Sequence, residues 1–274
     1  PAMTVNRLCA SGMSAIETAS RMIATGDADI VIAGGVESMS RAPWVLEKPT
    51  RAFGQPGQMF DSALGWRFVN PRFEHGDLSR DGKMTYSMTE TAQEVANVDG
   101  ITRQEADEFA VASQARAVAA QQAGCFDNEI VPVEITDRKG NVTVVNTDEG
   151  PRPGTTVDTL AKLRPVTGLG DVVTAGNSSS LNDGASAIIV ASQKAIDKYN
   201  LTPRARVVAG GSAGLAPEVM GLGPVPATEK VLAKAGWTVD DLDAAEINEA
   251  FATQSLASIR RLGRKSDVVE TWGG

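Results

Sequence analysis

The sequence has 274 residues, 42% hydrophobic and 22% charged, a composition typical of globular proteins that excludes fibrous and disordered classes. Its 26 Lys and Arg against 34 Asp and Glu give a net charge of −8, which disfavours nucleic acid and anionic membranes as partners. Two cysteines cannot form a disulfide framework, and no apolar stretch approaches the roughly 18 residues of a membrane span. We therefore predict a cytoplasmic protein without a nucleic-acid or membrane partner.

The first forty residues alternate between a helix pattern and a strand pattern. Apolar residues recur on one helical face over 14–25, and Gly26 ends this helix. The apolar run 30–33 is typical of a strand buried on both faces of an α/β sheet. Gly34 and Gly35, which follow it, lack the spacing of a dinucleotide-binding turn.

The middle of the chain begins with a long irregular region. Residues 41–82 contain Pro, Gly, Arg and aromatic residues without a sustained period, which predicts a functional loop or an insertion. The next elements are predicted to be helices over 89–97 and 102–124, a hairpin of 129–135 with 142–145, and a short helix over 156–163. Thr102 and Glu105 have the spacing of a capping box at the start of the second helix.

The last third of the chain alternates regularly. The pattern predicts strands over 187–191, 205–209 and 244–247, and helices over 193–199, 227–235 and 250–262. Such alternation is typical of the α/β class.

Cys9 is the first candidate for chemistry, because it lies among small residues just before the first helix. The helix dipole favours a thiolate there but contributes only about 0.3–2 kcal/mol. Since an ordinary thiol has a pKa of about 8.5, much of the thiol would stay protonated at neutral pH, and a base is required. The alternative is a small buried thiol without chemistry.

The remaining reactive side chains give weaker indications. A Cys/His hydrolase would need the single histidine, His75, as its base, whereas an exposed loop histidine is the plainer interpretation. Cys125 follows a glycine that ends a helix, and we interpret it as structural. No group of Cys and His residues has the spacing of a metal site, so we predict none.

Two polar segments each allow two interpretations. The turn 175–184 permits close approach of a ligand to the backbone, or is merely a tight connection. Asn248 lies where a strand is predicted to end and a helix to begin, which is an edge where ligands bind in α/β sheets and also an N-cap position.

Five segments together resemble the thiolase family in wording, order and spacing. They are residues 5–13 around Cys9, 34–40, 177–184, 219–224 and the Asn-Glu-Ala-Phe-Ala segment 248–252. The resemblance extends over essentially the whole chain. Residues 65–71 further resemble the degradative branch of the family, in particular bacterial 3-oxoadipyl-CoA thiolases, which serve fatty-acid or aromatic degradation.

The resemblance implies a fold and an assembly. The fold is the five-layered αβαβα sandwich of two similar halves, with a loop domain inserted in the first half. Residues 1–40 and 182–202 would form part of the N-terminal half, residues 41–181 the CoA-binding loop domain, and residues 203–274 the start of the C-terminal half. A homodimer or homotetramer is also implied.

The resemblance further implies thiolytic cleavage of a 3-oxoacyl-CoA by CoA, or the reverse Claisen condensation. Cys9 would carry the acyl group as a thioester, and its backbone N–H would serve one oxyanion hole. Asn248 would hold a water at the other oxyanion hole. Eight residues would contact CoA or line the reacting end: Ser87, Met88, Arg152, Thr159, Ser179, Ser180, Met220 and Phe251. CoA and acyl-CoA are substrates, and no tightly bound cofactor is implied.

Some positions depart from the family's pattern. Ser180 stands where Gly is common, and Thr167 where an aromatic often packs near the adenine. The family's Gly-His-Pro motif and second reactive cysteine are absent up to Gly274, so we expect an internal fragment that lacks both ends and is inactive by itself. A non-catalytic CoA-binding remnant therefore stays open as the alternative.

Overall fold

The computed structural model describes residues 1–75, 84–263 and 272–273, with the backbone only at 74 and 75. The chain divides into two compact units. The first unit consists of Pro1–Phe68, Leu181–Ser212 and Lys230–Trp237, and the second of Val69–Ser180, Ala213–Glu229 and Thr238–Gly274. The division into two halves and a loop domain stays a prediction.

The described residues contain helices that largely follow the predicted ones. They are α1 (Ser11–Ala24), α2 (Pro71–His75), α3 (Met88–Asp99), α4 (Arg103–Gln122), α5 (Val157–Leu160), α6 (Gln193–Tyr199), α7 (Pro224–Ala235) and α8 (Ala252–Arg261). Short 3₁₀ segments are Leu8–Ala10, Met39–Arg41, Pro217–Leu222 and Val239–Asp241. The predicted capping box is confirmed: Thr102 Oγ1 accepts from the Glu105 N–H, and the Glu105 carboxylate accepts from the Thr102 N–H.

Within the described residues, the strands form three antiparallel pairs. They are β1 (Ile30–Ser38), β2 (Trp44–Leu46), β3 (Met59–Asp61), β4 (Val133–Thr136), β5 (Val142–Val145) and β6 (Asp183–Ala191). β1 pairs with β6, β2 with β3, and β4 with β5. The β4–β5 pair is the predicted hairpin.

In the first unit, α1 packs on the β1–β6 pair. The register runs from Ile30 opposite Ala191 to Ser38 opposite Asp183. Ala33 is buried, but on the other face Ile32 is 74% and Val36 is 79% exposed. The prediction that this strand is buried on both faces is therefore wrong. Among the described residues α1 packs on one face of the strand, while β6 pairs along its edge and covers neither face.

The core of the second unit lies among α3, α4 and α8, with α3 and α4 each packed against α8. Its largest cluster consists of Ala96, Ile101, Ala106, Phe109, Val172, Ile247, Ala252 and Ile259. Gly100 ends α3 with a positive φ of 64°, and the backbone then enters α4 within three residues. Both helices contact α8, and together they support the site described below.

Three local predictions differ from the structure. Among the described residues, 205–209 and 244–247 do not form strands, although Ala245 is a single bridge residue. An apolar run becomes a strand only when a neighbouring segment accepts its ladder of hydrogen bonds, and 205–209 pair with none of the described strands. The region 41–82, predicted to be irregular, contains the β2–β3 pair and α2. Residues 76–83 of that region lie outside the described residues.

No helix in the described part of the chain is both long and apolar enough to cross a bilayer. Within the same residues, no three side chains of His, Cys, Asp or Glu are grouped as a metal ion would require.

Candidate functional site

Cys9 lies in the first unit on an exposed turn directly before α1. The preceding residue, Leu8, has a left-handed φ of 52°, which is unfavourable for a side chain with a Cβ. Two side chains hold this turn. The Leu8 N–H donates to the Asn6 Oδ1 at 2.9 Å, and the Ser11 Oγ donates to the Leu8 carbonyl at 2.7 Å. The alternative of a buried thiol is wrong, because the braced turn presents Cys9 to solvent.

The other two reactive residues contribute less. His75 is the last residue of α2, but its side chain, on which the choice between an exposed loop histidine and a Cys/His hydrolase depends, lies outside the described residues. Cys125 is half-buried after Gly124, and its N–H donates to the Ala120 carbonyl at 3.0 Å. Its structural role stays a prediction.

In the second unit, the two polar segments that the sequence singled out meet each other. Ser178 forms an isolated antiparallel bridge with Phe251. The Ser179 N–H donates to the Ala250 carbonyl at 2.9 Å, and the Ala252 N–H donates to the Asn177 carbonyl at 3.0 Å. We call these contacts between residues 177–179 and 250–252 the motif bridge. It brings together segments that lie about seventy positions apart in the chain.

Asn248 is exposed beside the motif bridge and does not cap a helix. The N-cap of α8 is Phe251, three residues later, whose N–H donates to the Gln254 Oε1 at 3.4 Å. The Asn248 backbone carbonyl accepts from the Ala250 N–H at 2.9 Å. The N-cap interpretation is therefore wrong.

The apolar candidates belong to elements that pack together at this corner. Phe251 is 8% exposed and packs with Ala92 of α3 and Val173. Met88 begins α3, and Met220 lies in Pro217–Leu222, a segment that contacts both α3 and α8.

Gly221 allows that close packing. A Cβ at this position would lie 3.0 Å from the Gln254 Cγ and 3.5 Å from the Val95 Cγ2. The absence of a side chain therefore lets the Met220 segment approach α8 and α3.

The polar candidates differ in how their side chains are used. The Ser87 Oγ caps α3 by accepting from the Glu90 N–H at 3.2 Å. The Thr159 Oγ1 donates to the Thr156 carbonyl at 2.7 Å in the cap of α5. Arg152, Ser179 and Ser180 are exposed. Contact of these residues with CoA stays a prediction, and for Ser87 and Thr159 it has to coexist with capping.

The sequence analysis did not find a buried polar network beneath the motif bridge. Asp107 of α4 pairs with Arg103 at 2.8 Å and accepts from the Asn177 Nδ2 at 2.9 Å. On α3, the Gln93 Oε1 accepts from the N–H groups of Val172 at 3.1 Å and Val173 at 3.3 Å. A signal existed in the sequence, since Asp107 interrupts the apolar face of α4.

Comparison with known proteins agrees with this arrangement of motifs. Residues 1–194 match the thiolase N-terminal domain, and residues 201–274 match the thiolase C-terminal domain. The chain belongs to the thiolase family.

The predicted thiolase fold is confirmed by solved structures. The crystal structure of human mitochondrial 3-ketoacyl-CoA thiolase in complex with CoA is 38% identical with a TM-score of 0.86, and the match covers 100% of this chain and 66% of that one. The Bacillus anthracis acetyl-CoA acetyltransferase is 37% identical with a TM-score of 0.87, over 99% and 66% of the two chains.

Curated relatives give a finer comparison. The beta-ketoadipyl-CoA thiolase of Pseudomonas aeruginosa is 51% identical over 267 residues, 97% of this chain and 65% of that protein. The 3-oxoadipyl-CoA/3-oxo-5,6-dehydrosuberyl-CoA thiolase of Escherichia coli K12 is 49% identical over 265 residues, again 97% and 65%. The acetyl-CoA acetyltransferase of Allochromatium vinosum is 44% identical over 274 residues, 100% and 67%. The chain thus spans slightly less than two thirds of the length of the first two relatives.

Proposed function

We propose that the protein is a degradative thiolase that cleaves a 3-oxoacyl-CoA with CoA, and that its preferred substrate is a 3-oxodicarboxylic thioester of the 3-oxoadipyl-CoA type. The identity pattern carries this proposal. Relatives named for beta-ketoadipyl-CoA or 3-oxoadipyl-CoA are 47% to 51% identical to the chain, against 44% for the acetyl-CoA acetyltransferase. No observation favours the alternative of a non-catalytic CoA-binding remnant.

Cys9 is the proposed nucleophile. Its thiolate attacks the C3 carbonyl of the substrate, the C2–C3 bond breaks, and the acetyl-CoA carbanion leaves and takes up a proton from a general acid. The remaining acyl group stays on Sγ as a thioester, and the thiolate of CoA then displaces it as a new acyl-CoA. From 3-oxoadipyl-CoA the products are acetyl-CoA and succinyl-CoA. Exposure of Cys9 on a braced turn at the N-terminus of α1 supports this role.

Asn248 is the proposed oxyanion residue of the second unit. Its amide would hold a water against the thioester oxygen, and the Cys9 N–H would serve the other oxyanion hole. Its support is the exposed position beside the motif bridge, where the amide is not used as a helix cap. The eight CoA and lining residues named above complete the proposal. CoA is consumed as substrate, and a homodimer or homotetramer in the cytoplasm is proposed.

The test is a thiolysis assay on the protein expressed at the length its gene encodes. Purified protein is given CoA with 3-oxoadipyl-CoA, with 3-oxohexanoyl-CoA of the same chain length but no distal carboxylate, or with acetoacetyl-CoA, and the acyl-CoA products are separated by chromatography. We expect the highest kcat/KM with 3-oxoadipyl-CoA. Equal turnover of 3-oxohexanoyl-CoA would contradict the dicarboxylate preference, and no turnover of any ester would contradict the thiolase function.

Two variants locate the chemistry. Cys9→Ser should lose at least several kcal/mol of transition-state stabilisation, because an alkoxide is much harder to form than a thiolate. Cys125→Ser is the matched control and should retain turnover. A Cys/His hydrolase would instead consume the thioester without CoA, so the reaction is also run with CoA omitted.

A further inference from the structure

A buried carboxylate of the second unit takes no part in the proposed chemistry but lies directly behind the motif bridge. Asp107 is 1% exposed, and its Oδ2 accepts from the Arg103 Nε at 2.8 Å. Its Oδ1 accepts from the Asn177 Nδ2 at 2.9 Å. A charged group is rarely buried so completely unless it is paired, and here the two oxygens have partners on different segments. Asp107 thus ties α4 to the loop that leads into the motif bridge.

The Asn177 side chain has one orientation that satisfies its surroundings. Its Nδ2 donates to Asp107 and also to the Val172 carbonyl at 2.9 Å, while its Oδ1 accepts from the Thr174 N–H at 2.8 Å. Turning the amide over would point its oxygen at a carboxylate and its NH₂ at an N–H. The carboxylate of Asp107 therefore acts together with Thr174 and Val172 to fix the orientation of Asn177.

The backbone of Asn177 belongs to the motif bridge. Its carbonyl accepts from the Ala252 N–H, and two residues later the Ser179 N–H donates to Ala250. Asn177 itself is 4% exposed, so a displaced side chain has no solvent to satisfy its polar atoms. A change in its side-chain orientation is therefore transmitted to the bridge hydrogen bonds.

We propose that Asp107 is a positioning residue of the CoA site, acting through Asn177 to hold the motif bridge in register. The inference rests on the proposed function, because the bridge carries Ser179, a proposed CoA contact, and lies beside Asn248, the proposed oxyanion residue. A positioning role predicts that loosening the bridge weakens CoA binding more than it slows the chemical step.

The first variant is Asp107→Asn in the protein at its gene-encoded length. Whichever way the new amide turns, its NH₂ faces either the Arg103 Nε–H or the Asn177 NH₂. We expect hydrogen exchange at the Ser179 and Ala252 amides, resolved by mass spectrometry, to accelerate about tenfold or more relative to the parent. KM for CoA and its dissociation constant should rise by a similar factor, with a smaller change in kcat.

The reciprocal double variant Asp107→Asn with Asn177→Asp is the rescue. The amide introduced at position 107 can accept from Arg103 and donate to the carboxylate introduced at position 177, which still accepts from Thr174. The Val172 carbonyl loses its donor and faces a carboxylate oxygen in its place, so the rescue is incomplete. We expect exchange and KM to return part of the way to the parent values. Asn177→Asp alone places two carboxylates together and should be worse than Asp107→Asn or the double variant.

The matched control is Ala120→Gly, which weakens the far end of α4 without touching the network. Ala120→Gly should lower the melting temperature, while hydrogen exchange at the motif-bridge amides and KM for CoA stay at the parent values. Parent-like exchange and KM in Asp107→Asn, or equal changes in Ala120→Gly, would overturn the inference. If the parent protein shows no thiolysis, the proposed function is refuted instead. The role of Asp107 would then still be decided by two measurements, hydrogen exchange at the motif-bridge amides and the dissociation constant for CoA.

Discussion

At the scale of single residues, two asparagines near one corner have opposite surroundings. Asn177 is buried with all the polar atoms of its side chain engaged, whereas Asn248 is exposed and held through its backbone. An engaged buried amide specifies structure, and an exposed amide is available to a ligand or a water. The difference predicts that substitutions at the two positions affect different measurements.

Asn248→Asp should reduce turnover and leave stability nearly unchanged. Removing an oxyanion donor lowers kcat by about 10²–10³. Removing an N-cap lowers the free energy of unfolding by about 0.5–2 kcal/mol, and we do not expect this decrease because Asn248 is not the cap. Steady-state kinetics and urea unfolding measure the two effects. Asn128→Asp, an exposed change of the same charge in the same unit, is the control. Near-normal turnover in Asn248→Asp would remove the oxyanion role.

Gln93→Leu should destabilise the second unit. The substitution leaves the buried N–H groups of Val172 and Val173 without their acceptor, and each such group costs about 1–3 kcal/mol. The free energy of unfolding in urea should fall accordingly. Gln104→Leu, on the exposed side of α4, should change stability by no more than about 0.5 kcal/mol. Equal effects at the two positions would show that the amide acceptor is unimportant.

At the scale of elements, the site depends on how closely one short 3₁₀ segment approaches two helices. Pro217–Leu222 carries Met220 and contacts both α3 and α8. Protein interiors are packed as densely as organic crystals, so an approach made possible by a missing side chain leaves little room for an added methyl group. The corner is therefore sensitive to volume at Gly221 in particular.

Gly221→Ala should lower the free energy of unfolding by about 1–3 kcal/mol, the usual result of overpacking. The added Cβ would lie 3.0 Å from the Gln254 Cγ and 3.2 Å from its Cβ, so the Gln254 side chain has to give by a few tenths of an ångström within a packed corner. Gly214→Ala is the control, since a Cβ there meets nothing within 4 Å and φ is not positive. Chemical denaturation compares the two variants, and unchanged stability in Gly221→Ala would show that the packing adapts freely.

At the scale of the whole molecule, carboxylates in both units are stabilised in their charged form. Hydrogen bonds lower the pKa of Asp29, Glu105, Asp137, Asp183 and Asp241. For Glu105, hydrogen bonds from the backbone N–H and the hydroxyl of Thr102, followed by one from Arg260, lower the pKa to about 2 from 4.5. Because these folded-state values lie below the unfolded ones, acid protonates the unfolded chain first and so favours unfolding.

The chain should therefore lose stability in acid, and Glu105→Gln should lose less. The contribution of Glu105 is complete above its unfolded pKa of 4.5 and disappears as the pH falls through the folded value of about 2. Urea unfolding at pH 7 and at pH 3.5 should show a smaller decrease in Glu105→Gln than in the parent. Glu108→Gln, an exposed neighbour on α4, should keep the parent's decrease. Identical decreases in all three proteins would contradict this assignment.

The sequence by itself determined the features that depend on neighbouring residues. Helix α6 has the predicted bounds 193–199, and the Thr102–Glu105 cap is where the spacing placed it. Helix hydrogen bonds and caps connect residues three or four positions apart, so their signals lie within one stretch of chain. The same applies to the motif segments, whose order and spacing along the chain indicate the family.

The tertiary structure alone decided the features that depend on distant partners. Residues 205–209 have a strand-like composition without forming a strand, and β1 is exposed on one face, because ladder partners and covering layers come from elsewhere in the chain. The orientation of Asn177 depends on Asp107, seventy residues away, and the cap of α8 falls on Phe251 instead of Asn248. Burial and hydrogen-bond partners across such separations are properties of the packed fold, and no local pattern of residues encodes them.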